Sequence, residues 1–455
     1  MRASAFVYPW DVVGDPEAPT RLAELGVEQV TLASAYHSTR ALTPRHPRHR
    51  VVTARHSAVL YPPDPARWTG RALRPYTQDW AGGGTDPYGE AARALTAAGL
   101  EVHSWVVLAH NSRMGGEFPS VAVCNAYGDR YPWAPCIARA EVREYLVALA
   151  AEAAVREHTG GTELESCGWY GLAHLHAHDK TGGVELDGAA RYLMSLCFCD
   201  VCRAGYAEAD VAPEPLRSAV VRAVDAVCRG EAPAGSAARG ESAVSAGGER
   251  RAEWRRVREL LGAERAEAVA GWRARAARRL RREAVAAVRH EAARAGAVRD
   301  AGNREADAGA RTGVPGRAVG PGSRFRVLLH ADPAPHRTGA NAGVDPGEAC
   351  ADADGVVLPC TGDDAERAAV LGPFTAAVPA ESAESAGDTG DTGGTGEFTV
   401  AANLTVVSGM GGSPRTLAAD AAHARGLGAS ELRLYHAGLA SDADLSAVRE
   451  ALARR

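Results

Sequence analysis

The sequence predicts an α/β fold of the (β/α)8 barrel (TIM barrel) class, in which eight parallel strands close into a cylinder sheathed by helices. Three observations carry this. Short apolar, β-branched segments recur eight times, most followed by polar loop residues and then an Ala/Leu/Arg-rich stretch with helical spacing, the pattern of repeated βα units. Gly26, Gly99 and Gly428 fall where a helix stops and the next strand starts, the usual place for a left-handed C-terminal cap. The 455 residues suffice for one barrel with insertions, so 1–455 reads as a single barrel.

In chain order, strands are expected at residues 5–8, 29–33, 101–108, 163–167, 324–330, 355–359, 398–404 and 431–435. Helices are expected at 18–25, 87–98, 139–157, 364–371, 413–426 and 442–454, with little more than a turn ahead of Gly355. The oversized interval 187–323, between the fourth and fifth strands, is a large helical and low-complexity insertion. Within it 252–296 reads as one long or broken helix, while 229–250 and 297–322, like 381–396 further on, have the Gly/Ala/Ser/Asp/Thr-rich composition of linkers. The arginines from Arg273 to Arg282 could meet a polyanion, but the glutamates around them favour a solvated helix face.

The net charge of −5 provides no sustained positive field, so neither nucleic acid nor an anionic membrane is expected as partner; a small-molecule or oligosaccharide ligand is. No run of about 18 apolar residues occurs, which excludes a helical membrane span. The first residues run straight into a strand, and a cytoplasmic location is expected. Assembly into a homo-oligomer is left open. In a reducing compartment, closely spaced cysteines point to metal more than to disulfides.

The segment CFCDVC supplies Cys197, Cys199 and Cys202 at a spacing that lets one tetrahedral ion take three thiolates. Cys136, just ahead of the third helix, is the expected fourth ligand, with Cys124 as its rival. A closed four-cysteine shell leaves no position for water, so the zinc it would hold is structural. The alternative is a set of small buried residues in a helix. Cys167, Cys228, Cys350 and Cys360 read as ordinary thiols.

A cysteine shortly before ARAEVREYLVAL, a strand ending in glutamate within ELESCGWYG, and CFCDVCRAGY follow one another over residues 125–202. This order resembles glycoside hydrolase family 42, the β-galactosidase type with a cysteine-cluster zinc site, and related barrel glycosidases. The resemblance implies a glycosidase in which Glu165 is the general acid/base. Barrel active sites lie at the C-terminal strand ends, and apolar neighbours favour the proton-carrying form of a carboxyl. The chain departs from that pattern at strand seven, where FTVAANLTVVSG offers Asn403 in place of a nucleophilic glutamate. Asp332 is the first candidate for the missing carboxylate, followed by Asp11 and by Glu163, which shares a strand face with Glu165. A Glu163 and Glu165 pair would suit substrate-assisted chemistry.

His37, His110 and His330 follow strands two, three and five, and His174, His176 and His178 alternate in the loop after Glu165. With Trp10, Tyr36, Asn111 and Trp169 these residues are expected to bind sugar hydroxyls and stack on sugar faces. Core packing is the plainer use of any one aromatic. Two other functions remain: a carbohydrate-binding barrel that has lost its nucleophile, and a hydrolase whose catalytic metal sits on His174, His176 and His178.

Overall fold

All eight expected segments form strands in the computed structural model, which describes residues 1–77, 80, 84–172, 180–231, 246–307, 324–378 and 397–454. They are β1 (Arg2–Val7), β2 (Gln29–Tyr36), β3 (Glu101–Val107), β4 (Gly161–Glu165), β5 (Arg326–Asp332), β6 (Gly355–Pro359), β7 (Thr399–Thr405) and β8 (Glu431–Tyr435). Each pairs in parallel with the next, and β8 pairs back onto β1 with Glu431 opposite Arg2, so the sheet has no open edge. The chain is a (β/α)8 barrel.

Outside the cylinder run α1 (Ala18–Ala23), α2 (Pro87–Ala97) and α3 (Ala140–Ala154). Gly26, Gly99 and Gly428 have φ of 84°, 85° and 93°, the left-handed conformation expected of them. The insertion after β4 contributes α4 (Gly188–Met194), α5 (Asp200–Glu208), α6 (Pro213–Cys228), α7 (Ala246–Leu261) and α8 (Ala263–Asp307). Gly262, at φ 83°, breaks α7 from α8. The linker expectations need correction, because 246–250 and 297–307 lie in helices; 232–245, 308–323 and 379–396 lie outside the described residues. The chain closes with α9 (Pro346–Asp352), α10 (Asp364–Ala377), α11 (Leu417–Gly426) and α12 (Asp442–Ala453).

The arginine run is not simply a solvated face. Because α8 packs along α3, alternate guanidinium groups turn inward: Arg273 and Arg281 are buried, and Arg281 pairs with Glu348 at 2.8 Å. The charged ends of Arg278 and Arg281 reach Glu348 of α9, whereas the Arg273 guanidinium lies over the Trp169 ring.

Inside the barrel, strand alternation stacks the inward side chains in layers, and the lower two are polar. Ser4 meets Thr31 at 2.9 Å, Thr31 donates to Glu163 at 3.1 Å, and the Arg433 Nε donates to the same carboxylate at 2.5 Å. Arg433 also reaches Glu431, which Arg326 bonds in turn, and Glu101 takes both Arg2 and His103. Leu328, Val357 and Ala401 fill the remaining side. Buried charges are tolerable only when paired, which fixes the positions of these strands relative to one another.

Candidate functional site

The top layer of the barrel forms the candidate site. Glu165 ends β4, and its Oε2 accepts a 2.8 Å hydrogen bond from the Trp105 indole of β3. Ser166, the next residue, has φ 57°, a costly conformation for a residue with a Cβ, and its backbone N–H is held by the Ala340 carbonyl at 2.9 Å. The chain is thus turned sharply just beyond the carboxylate.

Around Glu165 stand aromatic and imidazole rings from five strand ends. Tyr8 follows β1, stacks on Trp10 at 4.5 Å and on His436 at 4.3 Å, and donates its hydroxyl to Tyr36 at 3.0 Å. Tyr36 reaches the interior through a bulge in β2 between Ala33 and Ala35, which shifts the register against β3 by one residue. His37 stacks on Tyr36 at 4.2 Å, meets His110 at 4.9 Å, and His110 lies 5.0 Å from Tyr170. Burial, with the neighbouring phenols and the Glu165 charge, pushes the Tyr36 phenol well above its usual range, so it stays a neutral hydrogen-bond donor. Burial also lowers His37, against opposing pulls from the Ser38 carbonyl and Glu165. His436 falls to about 3, chiefly by burial and secondarily through Arg45, and neither ring nitrogen has a partner among the described residues.

The expected carboxylates separate. Glu163 lies one layer below Glu165, fully buried; burial would raise its carboxyl, but Arg433, His330 and His103 override this and hold it at about 2. His330 Nε2 stands 3.4 Å from its second oxygen. Asp332 ends β5, where Arg250 of α7 pairs with it at 2.9 Å and the Ala334 N–H donates to it at 2.8 Å. Asp11 sits behind Tyr8, taking that residue's N–H at 2.8 Å, and its carboxyl is raised to about 7 by burial against the opposing effects of this bond and Arg45.

Other expected residues have different surroundings. Trp169 is not gathered around Glu165; its indole donates to the Arg273 carbonyl at 2.9 Å and the Arg273 guanidinium lies over its ring at 4.3 Å. Asn111 caps the short helix Ser112–Glu117 by accepting from Met114 N–H at 3.0 Å. Asn403 lies in the upper part of β7, its side-chain oxygen without a partner among the described residues. His174, His176 and His178 lie outside the described residues. Sequence reasoning missed Tyr435 and His436, at the end of β8; an aromatic pair closing a strand was the available signal.

Away from the mouth, Cys136, Cys197, Cys199 and Cys202 are buried together with all four sulfurs within 4.8 Å of one another. Cys136 lies 3.7 Å from Cys199 and 3.5 Å from Cys202. Four thiolates at 2.3 Å from a tetrahedral ion would stand about 3.8 Å apart, so the set fits a metal ion. Hydrogen bonds from Cys136, Cys197 and Cys202 drive the Cys199 thiol far below its usual range, toward the thiolate that binds metal. Cys124 is not in the set; its N–H instead points at the Cys197 sulfur at 3.4 Å. The cluster ties the hairpin Ala122–Cys124 and Arg130–Pro135 to the start of α5.

No family model matches the chain, and no curated protein matches its sequence. Solved structures do. An α-L-fucosidase isoenzyme 2 from Paenibacillus thiaminolyticus is 11% identical with a TM-score of 0.48, over 100% of this chain and 49% of that one. The catalytic domain of β-amylase from Paenibacillus polymyxa is 11% identical with a TM-score of 0.48, over 100% and 98%. A β-galactosidase from the psychrophilic Marinomonas ef1 is 10% identical with a TM-score of 0.44, over 99% and 59%. The chain therefore spans about half the length of the fucosidase. Among the described residues no helix is long and apolar enough to cross a membrane.

Proposed function

We propose that the chain is a glycoside hydrolase of the family 42 type, with Glu165 as general acid/base. The observation that carries this is one carboxyl at the end of β4, fixed by the Trp105 indole and ringed by neutral phenols and imidazoles from neighbouring strand ends. Such a wall stacks on a sugar ring and bonds its hydroxyls, while the carboxyl is left to handle a proton.

In this reading Glu165 gives its proton to the departing glycosidic oxygen. Asp332 is the second carboxylate, attacking the anomeric carbon directly or taking a proton from the water that does. Arg250 fixes its orientation. Trp105 positions Glu165. Glu163 is a structural partner of Arg433 rather than a catalytic group, since it is fully buried one layer below Glu165, whereas Asp332 stands at the end of its strand. The four cysteines would hold zinc with no ligand position left open, so the ion braces the loops and takes no part in bond cleavage. A cytoplasmic setting, where thiols stay reduced, suits that cluster.

A carbohydrate-binding barrel without catalysis is the second reading, favoured by Asn403 on β7 and by the Arg250 pairing of Asp332. Incubating the protein with a panel of oligosaccharides, while measuring both binding and new reducing ends, separates the two. Binding with Glu165-dependent release of reducing ends supports the hydrolase; saturable binding with no release supports the second reading.

A further inference from the structure

Residues 29–63 contain five arginines and four histidines but no aspartate or glutamate, in a chain whose net charge is −5. The fold places this cationic stretch over the barrel mouth. After β2 it forms a hairpin, Thr39–Leu42 with Val51–Ala54, whose inner residues Val52 and Ala54 pack into the cluster of Tyr8, Trp10, Tyr36 and Trp105. The connecting loop is fastened across the ends of β8 and β1: Arg45 donates to the Ala437 carbonyl at 2.7 Å, and His46 Nε2 lies 3.0 Å from the Val13 carbonyl. The outer face is open, with Leu42 65% and Val51 49% exposed as a cross-strand pair beside Arg40. Arg40 and Arg48 are exposed and have no acidic partner among the described residues.

An independent feature lies across the mouth. In the closed strand order, β5 stands opposite β1, and beyond β5 a groove of about 560 Å³ runs between α7 and the Pro333–Pro335 turn. Arg250 and Arg258 of this groove are committed to Asp332 and Glu267, but Arg251 and Arg255 are exposed and pair with no carboxylate among the described residues. Trp254 stacks on His336 at 5.7 Å along the same groove. Uncommitted guanidinium groups thus stand on both sides of Glu165, each beside apolar surface of the kind that covers a sugar ring.

We infer that the ligand is an acidic polysaccharide, a chain of uronic-acid-like sugars that crosses the mouth with its carboxylates on Arg40 and Arg48 at one rim and on Arg251 and Arg255 at the other. This rests on the carbohydrate reading of the mouth and adds the substrate's charge and its direction across the barrel. Guanidinium and carboxylate make charge-assisted pairs that a neutral glycan cannot supply.

Calorimetry with polygalacturonate and with a neutral galactan of the same length tests it. The protein is expected to prefer polygalacturonate, less so as salt is raised, and Arg40→Ala/Arg48→Ala and Arg251→Ala/Arg255→Ala should each weaken that binding about tenfold. These side chains are exposed and have no carboxylate partner among the described residues, so the melting temperature should not move. Equal affinity for the two polymers, indifference to both arginine pairs, or tighter binding of duplex DNA or phosphatidylglycerol vesicles would overturn the inference. Cleavage of neutral galactan that needs Glu165 but not these arginines would leave the hydrolase standing and remove the acidic substrate. Arginine-dependent binding of polygalacturonate without cleavage would do the reverse.

Discussion

Glu163 and Glu165 are two residues apart on one face of β4, yet their partners give them opposite fates. The lower one is consumed by Arg433, the upper one faces the mouth with an indole on one oxygen. Removing one member of a buried pair strands the other charge, so Arg433→Met should cost about 3–5 kcal/mol in urea unfolding, and adding Glu163→Gln should recover part of it. A cost no larger than that of a surface substitution would show that the pair does not brace the barrel. Asp11 gives a pH signature. Its folded carboxyl is raised from 3.8 to about 7, so between those values the folded state holds a proton that the unfolded state has released. Stability from this group is therefore full at low pH and is lost as pH rises toward 7. Asp11→Asn, which can still accept from the Tyr8 N–H, should melt progressively higher than the parent as pH is raised from 4 to 7, and a constant difference would contradict the assignment.

Among the elements, the strands were legible because most are short apolar runs ended by loop residues, and the C-cap glycines marked where helices stopped. Cys136 was legible as the fourth cysteine from its place before α3, and Cys124 proved to be a neighbour whose N–H points at the Cys197 sulfur. The interior ion pairs were not legible: a charged residue inside a strand reads as solvent-facing until the partner strand is known, and Arg433 meets Glu163 across 270 positions of sequence. The β2 bulge was hidden for a similar reason, since strict alternation would turn Tyr36 away from the layer it joins. Trp169 followed a strand like the other aromatics, but a helix more than a hundred positions later claimed it. Cys199→Ser should lose bound zinc and stability together, read by metal analysis and thermal melting on the same sample. Unchanged metal content would remove the metal centre.

At the scale of the molecule, a closed barrel with charge-paired lower layers holds the strand ends rigid, and the mouth collects the rings and the Glu165 carboxyl, which need fixed positions. The insertion contributes on both counts, through the cysteine cluster and through Arg250 on Asp332. The central claim is that Glu165 transfers the proton in glycoside cleavage. Hydrolysis of an oligosaccharide bound by the protein, followed for the parent and for Glu165→Gln at matched melting temperature, tests it most directly. The rate should fall by about 10²–10⁴ with binding retained; full activity in Glu165→Gln would exclude that role.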